Sequence, residues 1–153
     1  MQIRLAAPCT RYSAVDGPGL RLTVWFQGCR HQCPGCHNPL THDFHGGFLS
    51  DTDTIVPLLN DPALQGITLS GGDPMEQPEA CLELAKAAKA LHKDVWLYTG
   101  YPWEKIVERK EWEALLNVLD VLVEGPFKKE LADPTLPFRG SSNQRILKLK
   151  EEK

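Results

Sequence analysis

Leu20-Arg21-Leu22-Thr23-Val24-Trp25-Phe26-Gln27 runs straight into Gly28-Cys29-Arg30-His31-Gln32-Cys33-Pro34-Gly35-Cys36-His37-Asn38. The first half alternates. Leu20, Leu22, Val24 and Phe26 point one way, and Arg21, Thr23, Trp25 and Gln27 the other, which is the period of a β-strand. The second half packs three of the chain's five cysteines into eight residues, spaced C-x3-C-x2-C. Thiolates this close converge on one metal centre, and soft sulfur ligands favour zinc, copper(I) or iron–sulfur clusters. The cysteine loop therefore begins where a strand ends. In parallel α/β folds that edge of the sheet is where active sites are built.

The number of cysteines carries information of its own. A closed structural zinc site takes four protein ligands, as does a fully ligated iron–sulfur cubane. Three cysteines on a four-iron cluster leave one iron open to a substrate or cofactor. Spacing alone also allows a Cys3His zinc site completed by His31, His37 or His42. Disulfides fit less well, because three clustered cysteines cannot all pair and the N-terminus, Met1-Gln2-Ile3-Arg4, has no apolar signal-peptide core.

Outward from this stretch, residues 1–19 read as a short lead-in ending in the turn Asp16-Gly17-Pro18-Gly19, where glycine takes positive φ and proline fixes its own. Cys9 reads as a small hydrophobe. Residues 37–50, with His37, His42 and His45, read as an exposed loop. Asp51 to Leu59 carries an N-cap signal for a short helix, weakened by Pro57. Ile67-Thr68-Leu69 is a short apolar strand ending in Ser70-Gly71-Gly72-Asp73-Pro74. A glycine pair there permits close backbone approach to a ligand, and Asp73 is a candidate acceptor for an ammonium group; the same string also makes an ordinary turn.

Pro78 to Leu91 is the clearest helix, with Cys81, Leu84, Ala85, Ala88 and Leu91 on one apolar stripe. Val95-Trp96-Leu97 forms the next strand, residues 103–116 are helical in composition, and Trp112 reads as a packing anchor. Val121-Leu122-Val123 is a continuous apolar run, as in a strand covered on both faces. Residues 127–138 form a loop. Phe138-Arg139-Gly140-Ser141-Ser142-Asn143-Gln144 is either a polar surface turn or a wall of a binding site, and residues 145–149 suggest a last strand. Alternating strands and helices predict an α/β fold with a parallel sheet.

The bulk numbers are those of one globular domain spanning residues 1–153. The chain is 42% hydrophobic and 24% charged, with a net charge of −3, which gives no reason to expect nucleic acid or an anionic membrane as a partner. No apolar run is long enough to span a bilayer. Reduced, metal-binding cysteines predict a cytoplasmic setting.

Cys29-x3-Cys33-x2-Cys36 resembles the cluster motif of the radical S-adenosylmethionine (SAM) enzymes. Val15-Asp16-Gly17-Pro18-Gly19-Leu20-Arg21, Gly28-Cys29 and Cys36-His37-Asn38 are similar to the activating enzymes of glycyl-radical proteins. Ser70 to Pro74, Val121-Leu122-Val123-Glu124-Gly125 and Phe138 to Gln144 resemble the group that activates anaerobic ribonucleoside-triphosphate reductase. The resemblance covers nearly the whole chain. It implies a single-domain partial, open TIM-barrel-like fold, a [4Fe-4S] cluster on Cys29, Cys33 and Cys36, and SAM bound by Gly35, Cys36, His37, Gly71, Gly72 and Asp73. No catalytic residue is implied beyond the cluster and SAM. The implied partners are the large subunit of the anaerobic reductase and an external one-electron donor such as flavodoxin or ferredoxin. Gly35 stands where the wider superfamily often has an aromatic residue before the third cysteine, which narrows the group. Two other readings stay open: an activator of another glycyl-radical protein or a small-molecule radical enzyme, and a non-enzymatic zinc-binding module.

Overall fold

Arg21–Phe26, Gly66–Gly71, Asp94–Tyr98 and Val121–Glu124 form four neighbouring parallel strands in a computed structural model that describes residues 1–29 and 43–149. In chain order the strands are β1 (Gln2–Ser13), β2 (Arg21–Phe26), β3 (Phe48–Asp51), β4 (Gly66–Gly71), β5 (Asp94–Tyr98), β6 (Val121–Glu124) and β7 (Arg145–Lys148). They make one seven-stranded sheet in the order β3-β1-β2-β4-β5-β6-β7. β1 pairs antiparallel with β2 and β3, and β7 antiparallel with β6. The sheet is therefore mixed: a parallel centre with antiparallel margins, where the sequence suggested a parallel sheet throughout.

The apolar halves of the parallel strands share one face. Leu22, Val24, Phe26, Ile67, Leu69, Val95, Leu97 and Leu122 belong to one buried cluster with Cys81, Leu84, Ala85 and Ala88. Those last four lie on helix α2 (Pro78–Ala90), which packs over β4 and β5. Four of the five residues of the predicted stripe are thus buried, Cys81 among them, while Leu91 caps the helix end and is exposed. Trp112 is buried and its Nε1 donates to the Met75 carbonyl at 3.0 Å, as a packing anchor would.

The opposite face is also covered. Arg21 and Thr23 are completely buried, so β2 is enclosed on both sides although its sequence alternates. A smaller cluster of Trp96, Val121 and Val123 lies on this side, with Tyr98, Phe138 and Ile146 packed against it. Phe138 meets Trp96 edge-on at 5.2 Å between ring centroids.

Three local readings change. Residues 2–13, expected as a lead-in, form the longest strand. Its register against β2 shifts three times between Leu5 and Ser13, and Pro8 lies beyond the part of β1 that pairs with β3. A proline on an unpaired edge removes no ladder bond, and such irregularity erases the period-two signal. The helix expected over 51–59 is a four-residue α1 (Thr52–Ile55), capped by the Asp51 side chain, that continues as a 3-10 turn through Pro57. The helical stretch 103–116 is divided into α3 (Trp103–Ile106), a 3-10 turn over Lys110–Trp112, and α4 (Glu113–Leu116), with an extended Arg109 (φ −102°, ψ 115°) at the break. No helix among the described residues is long and apolar enough to cross a membrane.

Candidate functional site

The C-terminal ends of the parallel strands deliver one loop each to the same edge of the sheet. After β2 come Gln27-Gly28-Cys29, after β4 Gly72-Asp73-Pro74, after β5 Thr99-Gly100-Tyr101, and after β6 Gly125-Pro126. Cys29 is 8% exposed. The two carbonyls before it are both held: Gln27 O accepts from Gln77 Nε2 at 3.0 Å, and Gly28 O accepts from the Asp73 amide at 2.7 Å. Gln77 also exchanges two bonds with the Arg4 backbone, which fixes the start of α2 against β1. The backbone that presents the first cysteine of the motif is thereby anchored from two directions.

The glycine pair lies beside it. The Gly72 amide donates to Phe26 O at 2.7 Å, and Gly71 has φ +107°. A Cβ on Gly71 would overlap the Phe26 backbone, so the strand-to-loop transition accepts no side chain there. Asp73 is wholly buried. Its Oδ1 accepts from the Met75 amide at 3.0 Å and Thr99 Oγ1 at 2.9 Å; its Oδ2 accepts from Thr99 Oγ1 at 2.9 Å and the Gly100 amide at 3.0 Å. Thr99 and Gly100 are site-edge residues that the sequence reading left out. The signal for them was available: a Thr-Gly pair directly after the third parallel strand.

Phe138 to Gln144 folds over this edge from the β6 side. Gln144 Oε1 accepts from the amides of Gly140 (2.8 Å) and Ser141 (3.1 Å), while its Nε2 donates to Gly125 O at 3.0 Å. Asn143 Nδ2 donates to Pro126 O at 2.8 Å, and Ser141 Oγ accepts from the Lys128 amide at 3.2 Å. The string is therefore a braced loop and not a loose surface turn. Glu124, also missed, is 2% exposed. It accepts from the Trp103 amide at the start of α3 and from Arg145 Nε, both at 2.6 Å.

Three buried polar atoms at this side of the sheet have no hydrogen-bond partner among the described residues: Tyr98 Oη, Arg139 Nε and Asn143 Oδ1. Burial, with Asp16 nearby, pushes the Tyr98 hydroxyl far above its ordinary range, so it stays protonated and able to donate. Buried polar groups are normally satisfied.

Cys33, Cys36, Gly35 and His37 lie outside the described residues, as do His31 and His42. His45 is described and exposed. Among the described residues no three His, Cys, Asp or Glu side chains gather as a metal site. The described cysteines separate cleanly. Cys29 is at the site edge. Cys81 is in the core, its Sγ donating to Pro74 O at 3.2 Å, with burial holding the thiol well above its usual range. Cys9 is half-buried on β1 and raised for the same reason.

A family model described as "4Fe-4S single cluster domain" matches residues 15–147. Curated relatives agree in name. The anaerobic ribonucleoside-triphosphate reductase-activating protein of Vibrio cholerae serotype O1 is 42% identical over 141 residues, covering 86% of this chain and 90% of the relative. That of Salmonella typhi is 39% identical over 142 residues with the same coverage, and that of Enterobacteria phage T4 is 39% identical over 139 residues, covering 86% of each. The chain belongs to the family of anaerobic ribonucleoside-triphosphate reductase-activating proteins. Membership places the predicted cysteine motif within a matched iron–sulfur domain, and it agrees with the group that Phe138 to Gln144 singled out.

Proposed function

We propose that this chain activates an anaerobic ribonucleoside-triphosphate reductase through a [4Fe-4S] cluster held by Cys29, Cys33 and Cys36, with SAM as the consumed cofactor. The observation that carries the reading is the position of Cys29: buried at the end of β2, on a backbone hydrogen-bonded to the Gly71-Gly72-Asp73 loop. The donor set fits the group. Three thiolates leave one iron of a cubane open, and the remaining cysteines, Cys9 and Cys81, are packed elsewhere. When bound and reduced by an external donor such as flavodoxin or ferredoxin, the cluster supplies cleavage of SAM to methionine and a 5′-deoxyadenosyl radical, which takes a hydrogen atom from a glycine of the reductase.

The chain's own part is placement. Gly35, Cys36 and His37 would contribute contacts to SAM, and the Gly71-Gly72-Asp73 loop would seat its methionine end. The side-chain-free Gly71 lets the end of β4 close against the Phe26 backbone and so sets the course of this loop. The inner face carrying Tyr98, Trp96 and Phe138 is the concave side of a partial, open barrel, and the Phe138–Gln144 loop forms its wall. No general acid or base is needed.

The test is anaerobic reconstitution with iron and sulfide, reduction, addition of SAM, and assay of 5′-deoxyadenosine alongside the EPR spectrum. The expected result is a reduced-cluster signal that changes with SAM, cleavage product, and a glycyl radical on added reductase. Cys33→Ala is expected to lose cleavage while keeping wild-type circular dichroism. Stoichiometric zinc with no cluster and no cleavage would overturn the assignment.

A further inference from the structure

Asp73 presents a buried carboxylate whose bonds run to other loops. Three donors converge on it: the Met75 amide on one oxygen, the Gly100 amide on the other, and the Thr99 hydroxyl shared between the two. Its own amide holds Gly28 O, one residue before Cys29, and the preceding amide holds Phe26 O. Thr99 in turn donates its amide to Val123 O on β6. One residue thus connects the loops after β2, β4 and β5, and through Thr99 the end of β6. Bonds to an ionised acceptor in a dry site are among the stronger ones in a protein.

We infer that the Asp73 carboxylate is a positioning group. It fixes, through Thr99 and Gly100, the spacing between the backbone leading to Cys29 and the backbone of Gly71 and Gly72. Thr99 is then as necessary to this spacing as Asp73. What is positioned rests on the proposed function; the strut itself does not.

The experiment uses the metal-free chain first. Amide hydrogen exchange at Gly72 and Asp73 is followed in wild type, Thr99→Val, Thr99→Ser, Asp73→Asn and the Asp73→Asn/Thr99→Val double variant. The Leu97 amide in the central strand β5 reports global opening. Thr99→Val should speed exchange at Gly72 and Asp73 about tenfold or more relative to Leu97, as loss of a bond to a charged acceptor would. Thr99→Ser should restore it to within about twofold, and the double variant should be no faster than Asp73→Asn within about twofold, because both changes cut one connection. In the reconstituted protein, Thr99→Val should release iron to a chelator faster and raise the Kd for SAM alongside Asp73→Asn. Overturning results are equal acceleration at Leu97, which marks general destabilisation, or a raised SAM Kd in Asp73→Asn with Thr99→Val at wild-type values, which marks a direct contact. The exchange measurement needs no cluster, so it stands or falls apart from the radical chemistry.

Discussion

The two ends of the parallel strands each bury a charge, and they do so differently. At the N-terminal end, Arg21 is wholly buried. It donates to Thr68 Oγ1 at 2.7 Å, Pro18 O at 3.0 Å, Ile67 O at 2.9 Å and the Asp94 carboxylate, and lies 5.7 Å from the centroid of the Trp96 ring. Asp16 sits alongside, its Oδ2 accepting from Ser13 and Thr23 while its carbonyl accepts from Thr68. This end is closed by side chains that satisfy one another. At the C-terminal end, Asp73 is equally buried but is met by a hydroxyl and loop amides, and Tyr98, Arg139 and Asn143 keep buried atoms without partners among the described residues. The molecule is thus divided into a floor closed by side chains and a rim held by loop backbone.

Removing the floor should have the largest effect on stability. Arg21→Met leaves Thr68 Oγ1 and the carbonyls of Pro18 and Ile67 without their Arg21 donor, while the part-exposed Asp94 keeps Gln65, and several unsatisfied acceptors together cost about 3 kcal/mol. For a chain of this size that corresponds to a fall of roughly 6–12 °C in Tm by scanning calorimetry. SAM cleavage per folded molecule should stay at the wild-type level. A loss of cleavage without a loss of Tm would erase the distinction between the ends.

Gly71→Ala strikes the rim. The added methyl overlaps the Phe26 backbone at a φ of +107°, so β4 must part from β2 at its last pair, at a cost of about 2 kcal/mol. Iron retention and SAM binding should fall much further than the modest drop in Tm suggests. Tyr98→Phe sharpens the contrast from the opposite side. Deleting a buried hydroxyl that has no partner among the described residues should leave the metal-free protein as stable or up to about 1 kcal/mol more so in urea unfolding. Clear destabilisation would mean that the hydroxyl is already satisfied.

The smallest effect lies at the margin of the floor, where the exposed Tyr12 hydroxyl donates to Asp61 and holds that carboxyl below its usual range. A depressed folded-state pKa gives stability that is present above the unfolded value, near 3.8, and is lost as pH falls through the folded one. Tyr12→Phe should therefore lower Tm slightly at pH 6, with the difference from wild type shrinking as the pH falls below about 3.8. A difference that grows on acidification would reverse the assignment.

Much of the frame could be read locally, because β2, α2 and the apolar cores of β4, β5 and β6 carry their own periodicities. β1 could not, since its bulges and Pro8 break the alternation. The 103–116 helix looked continuous because composition does not register an extended Arg109. The site divides the same way. The cysteine spacing and the Gly-Gly loop are contiguous and legible, whereas the surroundings of Asp73 are set by Thr99 and Gly100, 26 and 27 residues further on. Arg21 reads as the polar half of an alternating strand, and only the return of β4 and β5 beside it makes it a buried keystone.

The antiparallel margins have a consequence for solubility. A parallel sheet ending in long bare strands would offer unpaired amides and carbonyls to a second molecule. Here the outermost strands, β3 and β7, have four residues each, and β7 begins and ends on a cation, Arg145 and Lys148. Short, charged edges are poor templates for strand addition between copies.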